Sequence, residues 1–183
     1  KAFPSDTTQN VTFAYDSTTS GNKGVGRLTS VTDTAGSEAF VYDARGNLLS
    51  ETRIISGVTY QTLFQYDAAD NLTQITYPSG RIVSYARDSL GQVTGVWSQV
   101  SSSTAPLRLT YSITHLPFGP VSRIIFQNSV TTQYTYDSDY RLTGIKSSYS
   151  STNFQNLTIG HDGADNITAI TDAVTAARSQ TFQ

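Results

Sequence analysis

Aspartate returns along this chain at a nearly regular interval. Asp16, Asp43, Asp67 and Asp137 each directly follow a tyrosine; Asp88 and Asp162 hold the same place in similar stretches, after Arg87 and His161. A series of carboxylates could do two kinds of chemistry. Two brought face to face could divide general acid and general base work, as in glycoside hydrolysis. Several brought together could hold a cation through oxygen ligands. Asp137–Asp139 opens like a calcium loop, but Arg141 stands where the next ligand belongs and no glycine occupies the sixth place. The two histidines do not complete either site. His115 lies next to a turn and His161 replaces the tyrosine before Asp162, and neither has a serine, cysteine or second histidine at a motif spacing. No nucleophile elbow, phosphate loop or metal-ligand spacing occurs. The reading nominates no catalytic, cofactor-binding or metal residue, and the chain is not expected to be an enzyme.

The elements that position these aspartates explain them better. Aligned on the aspartate, the units are Phe13–Asp16, Phe40–Asp43, Phe64–Asp67, Tyr85–Asp88, Tyr134–Asp137 and Ile159–Asp162, with a degenerate seventh from Leu109 to Ile124 in which Leu116 takes the aspartate position. A motif repeated every 21 to 28 residues points to an array of supersecondary units. Each unit reads as strand, turn, strand. The first strand alternates: Val11, Phe13 and Tyr15 share one parity, as do Tyr60, Thr62, Phe64 and Tyr66, and Leu107, Leu109, Tyr111 and Ile113. Such spacing buries one face of a sheet. The second strands, 27–31, 47–51, 71–75, 92–96, 120–124, 141–145 and 166–170, place two apolar residues three apart. Either a bulge brings them to one face or both faces are partly covered.

The aspartate then has a local task. As the first residue of a type I turn it accepts a backbone N–H two residues on. The residue closing the loop needs a left-handed conformation, met by Gly46 and Gly91, and by Asp70 and Asp165, since aspartate is among the few other residues that tolerate positive φ. In the degenerate unit Pro117 presets φ and Gly119 closes the turn. Two units depart: Tyr140 falls at the closing position, which predicts strain or a different turn, and the first unit inserts a loop at 17–26 after Asp16. The structural turn positions are thus Asp16, Asp43, Gly46, Asp67, Asp70, Asp88, Gly91, Gly119, Asp137, Asp162 and Asp165. Four glycosylation sequons, at Asn10, Asn71, Asn156 and Asn166, arise where an asparagine precedes a threonine-rich strand.

Composition agrees with an all-β chain. Of 183 residues, 50 are Ser or Thr and 11 are Tyr, while charged residues make up only 14%, against about 25% in typical domains. These residues suit a pleated surface more than a helix. A net charge of −2 without a Lys/Arg cluster argues against a nucleic-acid partner. No apolar run reaches the about 20 residues of a membrane-spanning helix. No signal peptide pattern opens the chain, and the lack of any methionine leads us to expect a piece of a longer protein.

The pattern Y-D-x-x-G-x-L/V-T-x-I/V, carried by "YDARGNLLSE", "YDAADNLTQI", "RDSLGQVTGV", "YDSDYRLTGI" and "HDGADNITAI", resembles the Rhs or Tyr-Asp (YD) repeat family over essentially the whole chain. The resemblance implies β-hairpins joined side by side into a strip that spirals into a hollow shell. Such shells occur in bacterial polymorphic toxins, insecticidal toxin complexes, wall-associated bacterial proteins and teneurins. In the toxins the shell encloses a C-terminal effector. The core segment with a D-P-x-G-x signature and self-cleavage carboxylates found in toxin-bearing members is not matched here, so no catalytic residue carries over. The expected fold is all-β: antiparallel hairpin repeats joined side by side into a long curved or spiralling sheet, a partial shell or barrel, in one segment of about seven units and fourteen strands over 1–183. The expected function is structural, in a secreted or cell-surface protein whose shell encloses a toxin or effector. The alternative is a carbohydrate-binding or adhesion module using aligned Tyr and Phe side chains, because flat rings match a sugar's apolar face as readily as they pair across strands. Expected partners are the enclosed effector or neighbouring repeats, with self-association through sheet edges and glycans as further candidates; no cofactor is implied.

Overall fold

The structure, a computed structural model, describes residues 2, 6–117 and 119–182. Among them there is no α-helix. They form sixteen strands, with one short 3-10 turn before the first and two between later ones. The first sheet contains β1 (Thr12–Tyr15), β2 (Leu28–Thr32), β3 (Gly36–Tyr42), β4 (Leu48–Ile55), β5 (Val58–Tyr66), β6 (Leu72–Thr76), β7 (Ile82–Arg87), β8 (Val93–Gln99) and β9 (Leu107–Arg108). The second contains β10 (Thr110–His115), β11 (Val121–Phe126), β12 (Thr131–Tyr136), β13 (Leu142–Tyr149), β14 (Thr152–His161), β15 (Ile167–Asp172) and β16 (Gln180–Thr181). In both, strand order is chain order, as sequential hairpins with short connections require. The hairpin strip therefore lies in two sheets. By contacts the chain forms two compact units, 1–85 with 98–106, and 86–97 with 107–183.

Six of the second strands carry a bulge at the same place. Tyr66 pairs with Leu72 and Gln65 with Gln74, leaving Thr73 over. The same slip leaves over Thr29, Leu49, Ser122, Thr143 and Thr168. It decides the question left open by the three-residue apolar spacing. Leu72 opposes Tyr66 and Ile75 opposes Phe64, and Phe64 and Tyr66 share a face, so Leu72 and Ile75 do too. Leu142 and Ile145 meet Tyr136 and Tyr134 in the same way. The extra residue is usually Ser or Thr, whose hydroxyl bonds a carbonyl across the hairpin: Thr29 to Ala14 at 3.2 Å, Thr73 to Gln65 at 3.1 Å, Ser122 to Thr114 at 3.1 Å.

The run from Leu107 to Ile113 differs from the alternating strand expected there. It breaks at Leu109, whose N–H bonds Val96 O while its carbonyl accepts from Gln127 N–H. Leu107–Arg108 therefore belongs to the first sheet and Thr110–His115 to the second, with Tyr111 left over opposite β11. Arg108 packs over both Trp97 and Tyr111, at 5.4 and 5.2 Å from the ring centres.

Apolar burial is thin. Among the described residues only Ile82 and Ile159 form a buried apolar core, each 9% exposed. The buried polar residues outnumber them: Asn22, Thr29, Ser98, Thr110, Thr132 and Asp172. A hairpin strip without a covering layer has its best-shielded space along its own backbone, and polar side chains bonded to that backbone fill it.

Candidate functional site: the aspartate turns

Five turns share one geometry. In the turn 43–47, Asp43 N–H bonds Asn47 O at 3.0 Å and Gly46 N–H bonds Asp43 O at 3.1 Å. The Asp43 carboxylate accepts from the N–H groups of Arg45, Gly46 and Asn47 at 2.9, 2.8 and 2.9 Å, and from the Asn47 side chain at 3.0 Å. Asp67 accepts from Ala69 and Asn71 N–H, Asp88 from Leu90 and Gln92, Asp137 from Asp139 and Arg141, and Asp162 from Ala164 and Asn166, all between 2.8 and 3.0 Å. The fourth residue is left-handed in each: Gly46 (φ 96), Asp70 (φ 64), Gly91 (φ 79), Tyr140 (φ 62) and Asp165 (φ 68). Tyr140 thus adopts the shared turn and carries its strain.

The first unit's turn solves the same problem differently. Asp16 is itself left-handed (φ 64), and its carboxylate reaches across the inserted loop to Gly26 N–H at 2.5 Å. That loop is pinned to β3 by Asn22, which donates to Phe40 O at 2.9 Å and accepts from Tyr42 N–H at 2.8 Å, standing in for a strand neighbour. In the degenerate turn Gly119 N–H bonds Leu116 O and Leu116 N–H bonds Pro120 O, each at 3.0 Å, the backbone bonds of the shared turn. Glycine is needed there because a Cβ would lie 2.7 Å from the Tyr140 ring.

The charge state follows from these bonds. The Asn47 side chain first, then the turn N–H groups, hold Asp43 below the ordinary carboxylate range. Arg141 does so for Asp137 and Asn166 for Asp162. Each carboxylate is thus anchored to its own turn rather than aimed at a common point. Among the described residues no group of three or more His, Asp or Glu could hold a metal. Elsewhere, Arg53 bonds Glu38 at 2.6 Å and reaches Glu51 at 3.4 Å on β3 and β4. Arg53 lowers the Glu38 pKa, and a hydrogen bond with Glu38 raises that of Glu51.

The tyrosines before the aspartates join hairpins. Tyr42 OH donates to Leu28 O and Tyr136 OH to Val121 O, each at 2.8 Å. Both acceptors lie in the preceding hairpin, beyond the last pair of its ladder with the tyrosine's strand. The phenol thus bonds a carbonyl that the ladder no longer reaches. Neither this nor the bulge threonines were singled out in the sequence, although a threonine fixed one residue after the apolar start of most second strands was the available signal.

Sequential hairpins, a bulge recurring at one place in six of them, and carboxylates turned onto their own backbone define a structural β-repeat protein. A family model described as RHS Repeat matches residues 24–59, 52–82 and 66–96, and the same turn continues through 137–141 and 162–166. Residues 24–96 thus match the Rhs (YD) repeat. No curated protein matches it in sequence. Its fold is similar to that in the crystal structure of TcdB2-TccC3, at 23% identity over 89% of this chain with a TM-score of 0.76. It is similar likewise to TcdB2-TccC3-Cdc42, at 23% identity over 88% with a TM-score of 0.75. The Photorhabdus luminescens Tc holotoxin pore matches at 24% identity over 89%, with a TM-score of 0.74. The chain spans 9% of the length of each of these chains.

Proposed function

We propose that residues 1–183 are one segment of about seven YD hairpins in the wall of a hollow β-shell, that the protein is secreted or displayed at a cell surface, and that the shell encloses a C-terminal toxin or effector. The observation that carries this reading is the use of the five turn aspartates for their own turns, with no assembled reactive group among the described residues. The likeness to chains of TcdB2-TccC3 and of a Tc holotoxin pore supports it. Limited proteolysis of the full-length protein tests it. The C-terminal portion should resist digestion while the repeats are intact and become sensitive once denaturant opens them. Equal digestion under both conditions would refute enclosure.

A second reading is glycan binding, favoured by one local observation. Tyr60 and Tyr77, 45% and 40% exposed, line an open groove with Pro78, Ser79 and Arg81. Titration of tyrosine fluorescence with polysaccharides should show saturable quenching that Tyr60→Ala removes; no saturable change would end this reading.

A further inference from the structure

We propose that the corner residue of an aspartate turn, its left-handed fourth position, is selected by the turn that precedes it, so that the corner is a recognition point between neighbouring hairpins. If each turn's own backbone decided, glycine would occupy every corner, since it alone enters this region without steric cost. Within the two units four corners can be compared with their preceding turns, and they hold Gly46, Asp70, Tyr140 and Asp165.

Each corner meets something different. Above Gly46 lies the guanidinium of Arg27, held by the carbonyls of Lys23 and Val25 at 3.1 Å each and resting over the Tyr42 ring at 5.7 Å. Any side chain at 46 would displace it. Asp70 receives Arg45 Nε at 2.7 Å and the Asn47 side chain at 2.6 Å, while Arg45 also donates to Ala68 O and Asp67 O. Asp165 receives Arg141 Nη1 at 2.6 Å, from a guanidinium braced by Asp137 at 2.7 Å. Tyr140 lies against Gly119 and donates its OH to Pro117 O at 3.3 Å. A flat, occupied guanidinium is met by glycine, donors pointing forward are met by aspartate, and a glycine with an acceptor carbonyl beside it is met by a tyrosine. The strained corners are those with a lateral partner, as expected when strain persists only where the surroundings over-determine it. The rule does not depend on what the wall encloses.

The test is a sign reversal. In the native chain Asp165→Gly should speed hydrogen exchange at residues 165 and 166 about two- to fivefold, the range set by exposed ion pairs. In an Arg141→Ala chain, where the lateral donor is gone, the same substitution should slow exchange there, because glycine then only relieves the backbone. Asp70→Gly with and without Arg45→Ala and Asn47→Ala repeats the test in the other unit, and decides if one set fails to fold. Opposite signs in the two backgrounds establish the rule. The same sign in both overturns it.

Discussion

Asp67, Tyr42 and Thr29 each do one thing at the residue scale: they occupy a backbone group that the ladder leaves over. Asp67→Ala should destabilise the chain by about 1 kcal/mol, the usual net worth of such a bond, measured by urea denaturation. Tyr42→Phe and Tyr136→Phe should cost a similar amount, about 0.5–1.5 kcal/mol, and loosen the contact to the preceding hairpin in hydrogen exchange. Acid should act on several turns together. Asp43, Asp137 and Asp162 have folded pKa values below the ordinary 3.8. The stability they add is present above that value and lost as pH falls through the depressed ones. Glu51, with a raised pKa, acts in the opposite direction: its contribution is present below the ordinary 4.5 and lost as pH rises. The melting temperature should therefore fall as the pH drops below about 4, and replacing the three aspartates with asparagine should flatten that fall.

The hairpin is the next scale, and there the bulge matters most. It turns two apolar positions three residues apart into neighbours on one face, Leu72 and Ile75 for example, and so defines which face is apolar. Replacing Thr29 with valine removes the hydroxyl bonded to Ala14 O at a 5%-exposed site and should cost about 1 kcal/mol. Much of the hairpin was legible beforehand, because aspartate at the start of a turn and a left-handed residue at its corner have specific stereochemical causes, and those causes act within five residues. The bulge was only half legible: an apolar spacing of three is incompatible with a regular strand, but two remedies exist and period-two reasoning does not choose between them. The sheet change at Leu109 and the task of Gly119 were not legible, since one depends on Val96 and Gln127 and the other on the Tyr140 ring. Lateral partners leave no periodic trace in a single chain.

At the scale of the whole molecule, surface area is the governing quantity. Apolar area left open to water is what favours association. Large apolar residues such as Ile55, Val58, Leu107 and Phe154 remain open to water, as do Phe13 and Tyr15 on the edge strand β1. The isolated chain should bind a hydrophobic dye and grow in apparent mass with concentration in light scattering. Lysine at Phe13 and Tyr15 should suppress the part of that growth due to the β1 edge. A strictly monomeric chain that leaves the dye dark would show that this surface needs no cover.

The phenol bonds of Tyr42 and Tyr136 run backwards, from a hairpin to the one made before it. During synthesis the acceptor carbonyl of both bonds therefore leaves the ribosome first, and at these two joints the later ribbon meets a berth already made.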